Sequence, residues 1–316
     1  MLPDAKKARL RFDFVVEILA TDEETRTVRF LAKPNPLRYE WRTENNETHL
    51  YDKLDNLLIP EQIYRRALEG LKGMPISFEP QAIGDAAEYV RSRQPSILAF
   101  LNGQIPLQAF ADPSDEFLEG LATNKSEFVI LSLDLVKSTV LATTLPPLEY
   151  ARLIQTILFE ISQVVPLFHG HVLKYTGDGI IAYFAAPSFI TKNDLALDCA
   201  LTLRRLVHDG LNPMLIEAGY GPIDVRIGLD SGEAAVVAIG SATTKQHKDI
   251  IGAVVSLACK IQSRAPAGGI ALGQVTLQNL HTDWRAMCVA LPMGEDWKYL
   301  DPETHEPYQV HRIRFA

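Results

Sequence analysis

The sequence predicts an α+β fold with two domains, and three observations support this prediction. After residue 127, predicted strands and amphipathic helices follow one another in the order β-α-β-β-α-β-β-α-β. Such mixing favours a mostly antiparallel sheet with helices over one face. A polar stretch, Ala122–Glu127, separates residues 1–122 from residues 123–316, and each part has the size of an ordinary domain.

The composition, 47% hydrophobic and 22% charged, is ordinary for a soluble globular protein. No apolar run reaches 18 residues and the N-terminus lacks an apolar signal region, so neither a membrane span nor secretion is predicted. The net charge of −8 without a basic tract argues against nucleic acid as a partner. Three scattered cysteines, Cys199, Cys259 and Cys288, indicate a reduced, cytoplasmic protein with buried thiols.

Residues 1–122 are predicted to form a separate α+β domain. Leu10–Ile18 alternates apolar and polar residues and Val28–Leu31 returns after a polar turn, which predicts a β-hairpin. Tyr39–Thr43 is a predicted short edge strand, and Pro60–Leu71 is a predicted helix with proline at its start. Three prolines punctuate the rest: Pro75, Pro80 and Pro95. One acidic cluster indicates a solvated face rather than a metal site: His49, Asp52, Asp55 and Glu61.

The second predicted domain begins with the apolar run FVILSLD, which ends at Asp134. Helical spacing of apolar residues from Tyr150 to Val165 predicts one long helix. The run HVLKYTGDGIIAYF predicts two strands joined by a turn at Asp178. The later elements, in order, are a helix at Asp194–Leu206, strands at Ile223–Leu229 and Ala234–Ile239 joined by a tight turn at Asp230–Gly232, a helix at Val254–Gln262, a strand at Ile270–Leu272, a helix at Thr276–Leu280 and a strand at Tyr308–Ile313.

Asp134 and Asp178 occupy matched positions at the ends of apolar strands, with a crossover helix between them. A carboxylate at a buried strand end needs a metal, a base or a cap to offset its burial. Taken singly, Asp134 fits a helix N-cap and Asp178 fits a hairpin turn. Taken together, they predict a divalent-metal site.

Four stretches resemble, in order, the core motifs of class III nucleotidyl cyclases: FVILSLDLVKST, HVLKYTGDGIIAYF, VRIGLDSGEAAVVAIGS and KDIIGAVVSLACKIQ. The resemblance covers roughly half of the chain. It implies the ferredoxin-like cyclase fold and a homodimer with active sites in the cleft between two catalytic domains. It also implies the reaction, in which the 3′-hydroxyl of a nucleoside triphosphate attacks its own α-phosphorus and gives the 3′,5′-cyclic monophosphate and pyrophosphate.

The resemblance assigns roles to residues of the first two motifs. Asp134, Asp178 and the backbone carbonyl of Leu135 would bind two divalent ions, Mg²⁺ or Mn²⁺. Backbone N–H groups of one turn would hold the triphosphate at the start of the long helix: Val136, Lys137, Ser138 and Thr139. The reaction then depends on positioning and electrostatics, and it needs no nucleophile from the protein.

The fourth motif departs from the family pattern. Members usually carry an asparagine that positions the ribose and, four residues later, an arginine that contacts the α-phosphate, and the matching positions here are Ser256 and Lys260. Spacing of four puts both on one helical face, which would reach the site across the dimer. Serine can still hydrogen-bond and lysine is still cationic, but lysine lacks the bidentate geometry of arginine. A catalytically silent, nucleotide-binding homologue is therefore a second hypothesis.

Base selection leaves alternatives open. By resemblance, Lys174 and Asp249 match the positions that read adenine in adenylyl cyclases, which favours ATP. The N-terminal domain and the divergent fourth motif are instead similar to bacterial antiphage pyrimidine cyclases of the Pycsar type, whose cyclic UMP or cyclic CMP acts on a separate effector protein. A lysine donor and an aspartate acceptor also fit uracil, and Tyr175 would narrow the pocket for a smaller ring. We therefore predict UTP as the substrate, with ATP as the alternative.

Overall fold

The structure is a computed structural model and describes residues 12–22, 27–44, 47–70, 83–104, 118, 126–185, 192–241, 245–302 and 304–315. The chain forms two compact units. The first consists of Met1–Phe78 with His281–Ala286, and the second of Glu79–Leu280 with Met287–Ala316.

The first unit holds two small antiparallel sheets and an aromatic core. Its strands are β1 (Phe14–Asp22), β2 (Thr27–Pro34), β3 (Tyr39–Glu44), β4 (Glu47–Asp52) and β5 (Leu57–Pro60), and its helices are α1 (Glu61–Gly70) and a short helix at Thr282–Ala286. β1 pairs with β2, and the second sheet has the order β3-β4-β5. The buried core consists of Tyr39, Leu50, Ile59 and Tyr64. The predicted hairpin, edge strand and helix are confirmed, and β4 and β5 are additional strands.

Two buried polar contacts organise the first unit. Arg38 donates hydrogen bonds of 2.7 and 2.9 Å to Asp52, and both side chains are shielded from solvent. The interpretation of Asp52 as part of a solvated face is therefore wrong. Asp13, also buried, accepts hydrogen bonds from the backbone N–H and the hydroxyl of Thr282, and His281 Nε2 lies 3.0 Å from its second oxygen. These contacts explain why residues 281–286 belong to this unit.

The second unit is built on an eight-stranded sheet. Its strands are β6 (Ser126–Leu135), β7 (His171–Tyr175), β8 (Ile180–Phe184), β9 (Val225–Ser241), β10 (Lys245–Ile251), β11 (Ile270–Gly273), β12 (Cys288–Ala290) and β13 (Val310–Ile313). They follow the order β12-β13-β11-β9-β6-β8-β7, and β10 pairs with the second half of β9. Only β9 and β11 are parallel among the described strands, so the predicted mostly antiparallel sheet is confirmed.

Helices and helical turns occupy the connections of the second unit. They are α2 (Ala86–Leu101), α3 (Ser138–Thr144), α4 (Pro147–Val164), a 3₁₀ turn (Val165–Phe168), α5 (Lys192–Arg205), a π-helical turn (Leu206–Leu211), α6 (Asn212–Glu217), α7 (Ala253–Arg264) and α8 (Gln274–Asn279). The long helix predicted over Tyr150–Val165 is confirmed as α4, and the short helix α3 is an additional element that ends at the extended Leu145. The segment Pro147–Phe168, 22 residues with a mean hydropathy of 1.3, is long and apolar enough to cross a membrane, and 56% of it is buried within the fold.

Helices cover both faces of the sheet, so the expectation of helices over one face is wrong. Phe128 and Ile130 of β6 point to the side of α7 and join a core cluster there. Val129 alternates to the opposite side and is equally buried. On that side Ser231 of β9, the register partner of Val129, donates a 2.6 Å hydrogen bond to Asn193 of α5.

β9 runs unbroken from Val225 to Ser241, so the predicted tight turn at Asp230–Gly232 is wrong. These three residues pair with residues 128–130 of β6, and this pairing overrides the local turn preference of Asp-Ser-Gly. Asp230 is buried and accepts a 2.7 Å hydrogen bond from the Tyr308 hydroxyl. Burial raises the pKa of Asp230 to about 7.

Helix α2 was not predicted from the sequence, because prolines such as Pro95 disfavour a helix interior. Asp85 caps it by accepting hydrogen bonds from two backbone N–H groups of the first turn, and the helix continues through Pro95. Arg93 donates hydrogen bonds of 2.8 and 2.9 Å to Glu160 of α4, whose side chain is fully buried. The boundary between the two compact units lies before α2, after Phe78. The predicted boundary is at residue 122, and residues 119–125 lie outside the described part of the chain.

Candidate active site

Asp134 is the second-to-last residue of β6, and Asp178 lies in the loop between β7 and β8. β6 pairs with β8 as far as Leu133, which brings this loop to the end of β6. The loop closes through a 2.9 Å hydrogen bond from the Thr176 N–H to the Gly179 carbonyl. A Cβ on Gly179 would lie 2.3 Å from the Leu133 carbonyl oxygen and 3.1 Å from Asp134 Oδ1, so only glycine allows this close approach. The structure therefore brings the two predicted metal-binding aspartates to one place.

The electrostatics of Asp134 are those of a crowded acidic site. Burial and the negative charge of Asp178 raise the pKa of Asp134. Arg226, directly opposite Asp134 in the β6–β9 register, and the Leu135 N–H act against this rise. A divalent cation held between the carboxylates would remove the repulsion that raises this pKa, so the pair fits such an ion.

The side chains supply only part of a coordination shell. Within the described ranges, no three or more His, Cys, Asp or Glu side chains converge on a point where they could hold a metal ion. Asp134 and Asp178 would supply two carboxylates, and the predicted Leu135 carbonyl, water and phosphate oxygens would supply the rest. Mg²⁺ commonly binds in this way, through one or two carboxylates and substrate phosphates.

The turn after Asp134 has an unusual backbone. The Val136 N–H donates a 2.8 Å hydrogen bond to the Asp224 carbonyl, which fixes the end of β6. Lys137 then adopts a left-handed conformation with φ of 61°, and its carbonyl accepts the first hydrogen bond of α3 from the Val140 N–H. A non-glycine residue with positive φ is uncommon and is held there by its surroundings. Ser138 and Thr139 follow as the first two residues of α3, and their binding of phosphate stays a prediction.

Lys174 and Asp249, the predicted base-reading residues, form an ion pair. Lys174 Nζ of β7 lies 2.5 Å from Asp249 Oδ2 of β10, although 75 residues separate them in sequence. The Ile250 N–H donates a 2.9 Å hydrogen bond to the other oxygen. Tyr175 is 56% exposed and follows Lys174 in β7, so the two side chains leave the strand on opposite faces. The structure does not bring Tyr175 to this pair, and its predicted contact with the base is corrected accordingly.

Sequence reasoning missed a third residue beside this pair. His247 Nε2 lies 4.0 Å from Asp249 Oδ2, and the ring is 47% exposed. Residues two positions apart share a face only on a strand, and no strand was predicted at Lys245–Ile251, so the sequence pattern did not point to His247.

Ser256 and Lys260 lie one turn apart on the exposed face of α7. The opposite face of α7 packs tightly on the sheet, since a Cβ on Gly228 would lie 2.4 Å from the Ala258 carbonyl oxygen. Within the described part of one chain, neither side chain forms a hydrogen bond or ion pair with the aspartate pair or with the Lys174–Asp249 pair. Their action on a second copy of the chain stays a prediction.

Comparison with known proteins gives a family and a fold. Residues 122–290, slightly more than half of the chain, match the family described as the adenylate and guanylate cyclase catalytic domain. The chain is 25% identical over 166 residues to a cytidylate cyclase from Escherichia coli. That match covers 50% of this chain and 36% of the relative, so the chain spans about a third of that protein.

Two solved structures share the fold of the second unit. The adenylyl cyclase CyaB from P. aeruginosa superimposes with a TM-score of 0.51 and 19% identity, covering 61% of this chain and 96% of that one. The guanylate cyclase domain of RhGC from Catenaria anguillulae, solved in complex with GTP, gives a TM-score of 0.50 and 18% identity, covering 61% and 98%. The predicted α+β cyclase fold with a separate N-terminal α+β region is confirmed.

Proposed function

This chain belongs to the adenylate and guanylate cyclase catalytic domain family, and on that premise we propose that it is a metal-dependent enzyme that cyclises a pyrimidine nucleoside triphosphate. The observation that carries the proposal is the Asp134–Asp178 pair. A glycine loop holds both carboxylates at adjacent strand ends, and their proximity makes Asp134 harder to ionise. A silent scaffold has no need of such a pair, whereas an enzyme that binds divalent ions does.

Class III cyclases generally use two divalent metal ions, which lower the pKa of the 3′-hydroxyl and neutralise phosphate charge. Asp134, Asp178 and the Leu135 carbonyl would hold them. Backbone N–H groups of Lys137, Ser138 and Thr139 would orient the triphosphate, whereas the Val136 N–H is already bonded to the Asp224 carbonyl. The bond from O3′ to the α-phosphorus forms as the bond to the bridging oxygen breaks, so pyrophosphate leaves and the hydroxyl proton passes to solvent. The protein contributes position and charge rather than a nucleophile.

The base would lie at the Lys174–Asp249 pair. A pyrimidine is supported by the 25% identity to a cytidylate cyclase. Within this class we place UTP first, with cyclic UMP as product, because Lys174 can donate to a uracil carbonyl, and we place CTP second. ATP is the alternative outside the class, because the lysine and aspartate expected for adenine are both present and in contact.

The proposed enzyme is a homodimer in which Ser256 and Lys260 of one protomer complete the site of the other. Serine would hydrogen-bond the ribose and lysine would face the α-phosphate, without the bidentate contact of arginine. These two substitutions also motivate the second candidate, a homologue that binds nucleotide without turning it over.

We place the enzyme in the cytoplasm, as the source of an antiphage second messenger that acts on a separate effector protein. The first unit would then regulate or support the catalytic dimer, in answer to a ligand that its residues do not identify.

The test is an assay of the full chain with Mn²⁺ and each of the four nucleoside triphosphates, with products resolved by mass. We expect cyclic UMP as the product, and formation of cyclic AMP alone would contradict the pyrimidine assignment. Asp134→Asn and Asp178→Asn should each lower the rate about a thousandfold or more, since a metal site contributes several kcal/mol to catalysis. The exposed Asp283→Asn serves as the matched control and should leave the rate unchanged. Nucleotide binding without any cyclic product would favour the silent homologue.

A further inference from the structure

His247 lies on the same face of β10 as Asp249, two residues before it. Its Nε2 is 4.0 Å from Asp249 Oδ2, the oxygen that also accepts from Lys174. A distance of 4.0 Å is too long for a hydrogen bond, so the imidazole is near the carboxylate without being tied to it. His247 is therefore a third polar group at the place where the base is expected.

Both oxygens of the Asp249 carboxylate already accept hydrogen bonds from within the protein. Oδ2 accepts from Lys174 and Oδ1 accepts from the Ile250 N–H, and only 6% of the side chain is exposed. Lys174 is 36% exposed and His247 is 47% exposed. The accessible hydrogen-bonding groups of this cluster are thus the His247 ring and the remaining N–H groups of Lys174.

We propose that His247 contacts the substrate base and determines which base is accepted; this inference rests on the proposed cyclase function. In the tautomer that carries its proton on Nε2, the nitrogen nearer the carboxylate, Nδ1 is an acceptor. Nδ1 accepts the N3–H of uracil, while Lys174 donates to a neighbouring uracil carbonyl.

Other bases match this arrangement less well. Cytosine and adenine present an unprotonated ring nitrogen where uracil presents N3–H, and its lone pair would face the lone pair of Nδ1. Guanine offers the same carbonyl and N–H pair on a larger ring, so GTP belongs in the test as a competitor. The cluster therefore selects UTP over CTP and ATP.

The experiment compares kcat/KM for UTP, CTP, ATP and GTP in the full chain with Mn²⁺, for wild type, His247→Ala and His247→Gln. His247→Ala should lower the UTP-to-CTP ratio about tenfold, the factor that one hydrogen bond of ordinary strength contributes. His247→Gln should retain more of the UTP rate than His247→Ala but little of the ratio, because its amide can accept from uracil N3–H or, turned over, donate to cytosine N3. The control is His208→Ala, an exposed histidine that also lies beside an aspartate, on the π-helical turn, and it should change nothing. An equal loss for all four substrates, no loss at all, or a wild-type preference for CTP or ATP would overturn the assignment.

A binding measurement separates this inference from the cyclase function. 3′-Deoxynucleoside triphosphates lack the attacking hydroxyl, so their affinities report base recognition without turnover. If wild type makes no cyclic product but binds 3′-deoxyUTP selectively, and His247→Ala loses that selectivity, the cyclase proposal fails and the role of His247 stands. Binding without base selectivity in wild type overturns the role of His247 whatever the activity.

Discussion

Replacing Arg93 with alanine tests the attachment of α2 to the catalytic unit. In wild type, Arg93 donates two hydrogen bonds to Glu160, whose side chain is 0% exposed. Removing one partner of a buried ion pair costs about 3–5 kcal/mol, because the remaining charge is left without compensation. Arg93 itself is 27% exposed, so its truncation admits water to the carboxylate, and we take the lower end of about 3 kcal/mol. For a unit of this size that corresponds to a fall in melting temperature of about 6 to 12 °C.

The assay is calorimetric unfolding of the full chain, with hydrogen exchange to locate the loss in α2 and α4. Arg91→Ala, an exposed arginine on the same helix, is the matched control and should stay within about 0.5 kcal/mol of wild type. Adding Glu160→Gln to Arg93→Ala should recover part of the loss, because the unpaired charge is gone. Equal stability of the Arg93 and Arg91 variants, or no recovery in the double variant, would show that the buried charge does not cause the effect.

Two further predictions concern a buried aspartate in the sheet and a glycine in the loop between β7 and β8. Burial raises the pKa of Asp230 to about 7 in the folded protein, from an ordinary value of 3.8. Between these two pH values the folded protein keeps a proton that the unfolded chain has released. The free energy of unfolding should therefore fall as pH rises from about 4 to about 7. Asp230→Asn should remove this slope in urea titrations, and an unchanged slope would contradict the assignment. Gly179→Ala should abolish cyclase activity in a folded protein, because its Cβ would meet the Leu133 carbonyl oxygen at 2.3 Å and displace the Asp178 loop. Gly221→Ala, in open space, is its control, and full activity of the Gly179 variant would refute the argument.

The elements that sequence predicted well are those with long apolar periodicity. α7 was found within two residues because its apolar face packs on the central sheet, and β11 within one residue because it is a short apolar run buried inside that sheet. The turn predicted at Asp230–Gly232 failed because a local preference was weighed without the long-range partner, β6. α2 failed for a similar reason, since Pro95 argues against a helix locally, whereas the Arg93–Glu160 pair and packing on α4 stabilise it.

For the candidate site too, sequence reasoning placed some residues correctly and missed others. The pairing of Asp134 with Asp178 followed from matched strand ends and is present in the structure. The placement of Lys174 and Asp249 at one site came from family resemblance, because nothing local in the sequence joins residues on β7 and β10, and their ion pair was not predicted. Tyr175 was chosen as a sequence neighbour of Lys174, but neighbours on a strand point apart. His247 was missed because strand β10 itself was not predicted.

The contact between Asp13 and Thr282 also bears on the timing of biosynthesis. The two residues are 269 positions apart, yet both belong to the first unit. A ribosome that adds about 5–20 residues per second needs roughly 13 to 54 s to make the intervening chain. The strands of the first unit therefore leave the ribosome well before that unit can be completed, and until then its buried aspartate has no partner from residues 281–286.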